Sequence, residues 1–178
     1  VSGSSVRPMI IVSPLEHAEK AMREYKPSHI ISVLDHDIAL PSAIDETPEE
    51  NRLKLFGDCS ASEAGKHESR CEKAVKFAKH WAAQDKPRAP LLIHCELGVA
   101  RSMAIAYIMM CAIDNDRSET EIAERLRRAA PHADPNLLLV SEADALLERN
   151  DRMVEAILDM EPCCGAVDTP IVTLPIAA

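Results

Sequence analysis

A cysteine and an arginine, Cys95 and Arg101, lie six positions apart in the stretch LLIHCELGVARS at residues 91–102. A cysteine thiolate is a strong nucleophile, and the planar guanidinium of arginine can bind two oxygens of one phosphate group. Ser102 follows the arginine and can hydrogen-bond toward the sulfur. We interpret His94 as a residue that orients the cysteine rather than as a base, because a stabilised thiolate needs no base. These residue types predict a nucleophile that faces a bound anion.

Three local elements should bring these side chains together. Residues 91–93 are a short apolar run behind Pro90, which is typical of a buried strand. A tight loop that contains Gly98 follows, and residues 101–113 then form a segment that is apolar on nearly all sides, which predicts a helix buried at the centre of the fold. Because the loop amides and the positive end of the helix converge, the arrangement predicts an anion site that also stabilises a thiolate.

The pattern His-Cys-x5-Arg-Ser between a strand and a helix resembles the cysteine-dependent protein tyrosine phosphatases, most closely their small dual-specificity-like branch. The resemblance is tight over residues 91–113 and looser over residues 28–147. It implies that Cys95 forms a phosphocysteine intermediate and that Ser102 assists its breakdown. The phosphate-binding residues that it implies are Glu96, Leu97, Gly98, Val99, Ala100 and Arg101. Leu97 and Ala100 depart from the residues common in that branch, but neither departure removes a catalytic group.

A cysteine phosphatase also needs an acid that protonates the leaving oxygen. In the family this acid is an aspartate on a loop after a strand, a few tens of residues before the cysteine, and Asp58 matches that description at 37 residues before Cys95. The resemblance therefore implies Asp58 as the general acid. Glu63, Asp35 and Asp37 are the alternatives that the sequence leaves open.

The pair Pro135-Asn136 opens a predicted helix downstream of the catalytic stretch. It resembles a Pro-Asn turn of the dual-specificity branch, where the helix packs behind the phosphate-binding loop. Asn136 is therefore either a side chain that braces this loop or a residue that starts a helix.

Composition narrows the partners. The chain has 178 residues and a formal net charge of −9, which disfavours nucleic acid and anionic membranes. Its longest apolar run, residues 103–113, is too short to cross a bilayer, and no signal peptide is expected. The six cysteines lack paired metal-ligand spacing, which favours reduced thiols in a cytoplasmic protein. We expect no metal and no cofactor, and we interpret Asp35-His36-Asp37 as a solvated turn or a pocket rim. The oligomeric state is left open.

The order of the predicted elements indicates an α/β fold. A strand at 8–12, a helix that begins with a Ser13 cap and ends near Tyr25, and a strand at 30–34 form the usual opening of such a sheet. We predict one domain with a small, mainly parallel central sheet and helices on both faces. Residues 6–160 are predicted as a phosphatase-like catalytic domain, and residues 161–178, with no helical period, as a C-terminal tail.

The resulting functional hypothesis is hydrolysis of phosphotyrosine in proteins or peptides. Phosphoserine and phosphothreonine are possible further substrates, because Phe56 is the one aromatic residue that the sequence puts near the site and the pocket is expected to be shallow. The loop carries the acidic Glu96 and no lysine, which favours phosphoproteins over lipids or nucleotides. Two alternatives remain open: a non-catalytic module that binds phosphorylated residues, and a sulfurtransferase of the rhodanese type.

Overall fold

Short apolar runs form the strands of one central sheet in the computed structural model, which describes residues 8–56, 68–84, 89–165 and 168–176. The strands are β1 (Met9–Pro14), β2 (His29–Leu34), β3 (Arg52–Phe56), β4 (Leu91–Cys95) and β5 (Val172–Pro175). Their order in the sheet is β3-β2-β4-β1-β5. The neighbouring strands from β3 to β1 are parallel, and β5 alone runs antiparallel, against β1. This arrangement confirms the predicted mainly parallel α/β sheet.

The α-helices of the described residues follow in chain order. They are α1 (Ala18–Tyr25), α2 (Ser42–Asp45), α3 (Arg70–Ala82), α4 (Arg101–Ile113), α5 (Glu119–Ala129), α6 (Leu137–Leu146) and α7 (Arg152–Leu158). Ser69 and Ser118 cap α3 and α5 through complete capping boxes with Glu72 and Glu121. Each box satisfies amides that have no partner within their helix, so these two helices begin at sharply defined residues.

Alternate residues of the strands enter two separate cores, because successive side chains of a strand point to opposite faces. On β1, Ile10 and Val12 join the larger core, in which α3 to α7 pack, whereas Ile11 joins the smaller core with α1 and α2. Both faces of the sheet are therefore covered, as is usual for parallel strands. The predicted placement of helices on both faces is confirmed.

Helix α4 lies at the centre of the larger core. Every residue from 102 to 112 is buried, which agrees with its lack of a polar stripe. The hydroxyl of Tyr107 donates to the carbonyl oxygens of Glu119 at 3.2 Å and Met153 at 3.4 Å, so the polar atom of this buried ring is satisfied. No helix of the described residues is long and apolar enough to span a membrane.

The predicted Ser13 helix cap is wrong. Ser13 and Pro14 stay in β1, where they lie in register with His94 and Cys95 of β4. A 3-10 turn at Leu15–His17 follows, and α1 begins only at Ala18, without a side-chain cap. Pairing with β4 therefore outweighs the local capping preference, and β1 reaches as far as the candidate site.

The last described segment adds a strand that the sequence analysis did not predict. Strand β5 pairs with β1 from Met9 to Val12, and the side chains of Val172, Leu174 and Ile176 are buried. Residues 172–176 therefore contribute to the larger core. The predicted boundary between a catalytic domain and a tail at residue 160 stays a prediction.

We expect Leu174→Ala to lower the free energy of unfolding by about 2–5 kcal/mol, because it removes a buried side chain and leaves a cavity. Leu174 is 2% exposed. Thr173→Ala, on the other face of the same strand and only partly buried, is the matched control and should cost less than about 1 kcal/mol. Urea unfolding of both variants measures the difference. Equal stabilities would mean that the last strand contributes nothing to the fold.

Candidate active site

The Cys95 sulfur lies at the carboxyl end of β4, at the base of a loop that we call the phosphate loop (residues 95–101). The residue is 2% exposed. Its Sγ accepts a hydrogen bond from the amide of Gly98 at 3.2 Å and lies 3.1 Å from Oγ of Ser102. The sulfur therefore has polar contacts with both the loop and the first turn of α4.

The orientation of the loop amides is fixed from outside the loop. Three loop carbonyls accept hydrogen bonds from amides elsewhere: Glu96 from Leu15 at 3.2 Å, Val99 from Asp134 at 3.0 Å and Ala100 from Asn136 at 3.2 Å. In a trans peptide unit the C=O and the following N–H point in opposite directions. The N–H groups of Leu97, Ala100 and Arg101 therefore point away from these outer partners, toward the interior of the loop.

Gly98 is required by both conformation and space. Its φ is +69°, in the left-handed region that residues other than glycine rarely adopt. A Cβ at this position would lie 2.7 Å from the backbone nitrogen of Pro14. The loop can therefore pass over the end of β1 only because residue 98 has no side chain.

The Arg101 guanidinium lies between two carboxylates. Nη1 is 2.5 Å from Oδ1 of Asp35, and Nη2 is 3.9 Å from Oε2 of Glu96. The arginine side chain is 18% exposed, whereas those of Asp35 and Glu96 are 50% and 68% exposed. Arg101 begins α4, whose first turn carries no acidic residue, so the positive end of that helix is not neutralised from within its first turn.

His94 is fully buried and neutral. Burial lowers its pKa to about 4, so the imidazole carries no charge near pH 7. Its Nε2 lies 2.7 Å from Oγ of Ser32, the residue directly opposite it on β2. Nδ1 has no hydrogen-bond partner among the described residues. This contact holds the ring between two strands, in keeping with an orienting role and not with that of a charged catalyst.

The Asn136 side chain starts a helix. Its Oδ1 accepts a hydrogen bond from the amide of Leu139 at 3.1 Å, which caps α6. The same residue contacts the phosphate loop through its backbone, since its N–H donates to the carbonyl of Ala100. The side chain of Asn136 therefore caps the helix, whereas its main chain braces the loop.

The acid candidates separate into two groups. Asp58 and Glu63 lie outside the described residues. Asp35 directly follows β2 and contacts Arg101, which agrees with the predicted pocket rim. Asp37 instead pairs with Lys54 at 3.6 Å and is 81% exposed. Among the described residues, no group of three or more side chains could hold a metal ion.

The sequence did not predict that the backbone amides of Leu15 and Asp134 donate hydrogen bonds to the phosphate loop. They act through N–H groups that every residue except proline carries, so no side-chain type marks them. The nearest signal was Pro135-Asn136, which indicated the right turn but not its bonds to the loop.

The sheet order, the central helix and the loop geometry give the chain the fold of the cysteine-dependent protein tyrosine phosphatases in their small dual-specificity-like form. The chain matches the PTP-2 phosphatase of Cydia pomonella with a TM-score of 0.57 and 16% identity over 93% of each chain. It matches human DUSP28 with a TM-score of 0.58 and 14% identity over 79% of this chain and 94% of that one. For the Yvh1 phosphatase domain of Chaetomium thermophilum the TM-score is 0.52, with 19% identity over 81% and 93%. No protein-family model matches the chain, and no curated protein does.

Gly98→Ala should distort the phosphate loop, because the substitution combines a left-handed φ with a backbone clash. We expect binding of inorganic phosphate to weaken at least about tenfold and stability to fall by about 1–3 kcal/mol. Gly165→Ala is the matched control, since a Cβ there would meet nothing within 4 Å. Isothermal titration and thermal melting compare the two. Unchanged phosphate affinity in Gly98→Ala would show that the loop tolerates a side chain at this position.

Proposed function

We propose that this protein hydrolyses phosphate monoesters of phosphorylated proteins or peptides through a phosphocysteine intermediate. The observation that carries the proposal is the Cys95 sulfur, which lies within hydrogen-bond distance of the Gly98 amide and Ser102 while the surrounding loop turns its N–H groups inward. A nucleophile and a ring of donors that share one centre suit phosphoryl transfer, which depends on positioning and charge stabilisation.

In the first step the Cys95 thiolate attacks phosphorus, an S–P bond forms and the P–O bond to the leaving group breaks. The loop amides and the Arg101 guanidinium bind the equatorial oxygens, where negative charge accumulates. Arg101 is paired with Asp35 in the free site. A bound phosphate offers two oxygens to the planar guanidinium and therefore competes well with a carboxylate that is 50% exposed.

In the second half of the reaction, water attacks the phosphocysteine, the S–P bond breaks and inorganic phosphate leaves. The Ser102 hydroxyl, 3.1 Å from the sulfur, donates a hydrogen bond to the departing thiolate. We assign Asp58 as the acid that protonates the leaving oxygen of the first step and, as a carboxylate, accepts a proton from the water of the second. This assignment rests on its spacing and family pattern.

The charges around Arg101 favour a phosphorylated side chain over polyanionic substrates. Asp35 and Glu96 both contact this guanidinium, so the rim opposes a ligand that brings several phosphates. The apolar side chains of Leu97 and Phe56 are 69% and 43% exposed. Because Phe56 is the one aromatic residue that the sequence puts near the site, we propose a shallow pocket that accepts phosphotyrosine and also phosphoserine or phosphothreonine.

Turnover of p-nitrophenyl phosphate and of a panel of phosphotyrosine, phosphoserine and phosphothreonine peptides tests the proposal. The wild-type protein should release phosphate, and Cys95→Ser should lose at least about 10⁴-fold in rate because the nucleophile is gone. Cys163→Ser, which changes an exposed cysteine elsewhere, is the control and should retain full activity. Binding of the peptides without turnover by the wild-type protein would instead identify a non-catalytic phosphoresidue-binding module.

Asp58→Asn tests the acid. A poor leaving group must be protonated as it departs, so Asp58→Asn should lower the rate on a phosphotyrosine peptide by about 10²–10⁴-fold. A fluorinated aryl phosphate has a good leaving group, so the loss of rate on that substrate should be far smaller. Asp35→Asn is the matched carboxylate control. Because Asp35 contacts Arg101, its loss should affect both substrates alike. The reverse pattern would assign the acid to Asp35, and equal losses in Asp58→Asn would remove Asp58 from the mechanism.

A further inference from the structure

Arg127, near the end of α5, makes an unusual set of contacts with the turn that follows its helix. Its Nη1 donates to the carbonyl oxygens of Pro131 at 2.7 Å and Ala133 at 2.9 Å, and lies 3.4 Å from that of Ala130. One cationic donor group therefore gathers three carbonyls of a segment that contains no regular secondary structure. Hydrogen bonds from a charged donor are stronger than neutral ones, so this contact fixes the turn firmly.

The turn that Arg127 holds, residues 131–136, is also the segment that binds the outside of the phosphate loop. Its amides at Asp134 and Asn136 donate to the carbonyls of Val99 and Ala100 at 3.0 and 3.2 Å. These two bonds orient the peptide units whose N–H groups belong to Ala100 and Arg101. The direction of two phosphate-binding amides is thus set by the path of a turn more than thirty residues downstream in the sequence.

We propose that Arg127 is a positioning residue for the phosphate loop and acts through the 131–136 turn. The inference rests on the proposed function, since it concerns the donors that would bind the phosphoryl group. The hydrogen bonds of Arg127 go to the carbonyls of Ala130, Pro131 and Ala133 and not to the phosphate loop. It holds the carbonyls of Pro131 and Ala133 in place, and the two amides between Ala133 and Leu137 then meet the loop carbonyls at the right distance.

One further contact and a buried side chain also fix this turn. The carbonyl of Pro131 also accepts a hydrogen bond from the amide of Cys164 at 2.9 Å, so the turn is held from a second side. His132 is 6% exposed, and burial together with the nearby Arg127 charge lowers its pKa. Both effects favour the neutral form of the ring, which does not repel the guanidinium.

Lysine cannot replace arginine in this role. All three carbonyls are contacted by Nη1, which lies one bond further from the backbone than the ammonium nitrogen of lysine, so a lysine at this position would not reach them at the same distances. Arg127→Lys keeps the charge and the helix propensity of α5, so it should fold while losing the arrangement of the turn. Arg128→Ala is the matched control, because Arg128 is the next residue of the same helix and is exposed.

The test compares wild-type protein with Arg127→Lys, Arg127→Ala and Arg128→Ala in three measurements: the dissociation constant of inorganic phosphate, kcat/KM for p-nitrophenyl phosphate, and the melting temperature. Misplacing the loop amides should weaken phosphate binding and lower kcat/KM by about 10- to 100-fold in Arg127→Lys, with a greater loss in Arg127→Ala. The amide NMR resonances of Ala100 and Arg101 should shift in both variants. Arg128→Ala should match the wild-type protein in all of these measurements.

A purely structural role would lower the melting temperature alone. If the wild-type protein is active and Arg127→Lys retains its phosphate affinity, its kcat/KM and the two resonances, the positioning role is overturned and the proposed function stands. If the wild-type protein neither binds phosphate nor turns over any substrate, both proposals fail. If it binds phosphate without turnover, reduced affinity in Arg127→Lys still supports the positioning role, and unchanged affinity overturns it.

Discussion

The site depends on the geometry of the trans peptide unit, in which the C=O group and the N–H group of the next residue point in opposite directions. A short loop can direct several N–H groups to one point only if its carbonyl oxygens accept hydrogen bonds from donors outside the loop. Here those partners come from the 3-10 turn after β1, through the Leu15 amide, and from the turn before α6, through Asp134 and Asn136. Unpaired buried carbonyls would cost free energy. The parts of the fold that supply these amides are therefore as necessary to the loop as its own residues.

Besides the hydrogen bonds to the loop carbonyls, weaker ion pairs around Arg101 contribute to the site. Arg101 has carboxylate neighbours on β2's end and within the loop itself, Asp35 and Glu96, and no acid from its own first turn. The guanidinium is thus held by partners that remain partly exposed, and exposed pairs of this kind contribute little free energy each. On the proposed function, a phosphate that binds Arg101 has only this small attraction to overcome. Neutral His94, buried between β2 and β4, adds no further positive charge to the site.

Local patterns predicted what local forces determine. Residues 101–113 form the helix that their apolar composition indicated. The cap predicted at Ser13 failed, because β4 offers Ser13 and Pro14 strand pairing that no local pattern reveals. Strand β5 was missed for the same reason, since four residues become a strand only against β1. In the candidate site, residue types predicted the contact between Ser102 and the Cys95 sulfur, which lie 3.1 Å apart, whereas the roles of Cys95, Arg101 and Ser102 stay predictions. The bracing amides could not be predicted, because they carry no side-chain signature.

Strand β5 also changes how readily the edges of the sheet can pair with strands of other chains. Without it, β1 would present unpaired N–H and C=O groups, which attract strands from other chains. With it, that margin ends in a strand of only four residues that finishes at Pro175, and proline cannot donate to a further ladder. At the opposite margin, β3 carries Arg52 and Lys54, and charged side chains also discourage pairing. In the part of the chain that the structure describes, both borders thus oppose edge-to-edge aggregation, so the open sheet is protected against polymerisation by its own sequence.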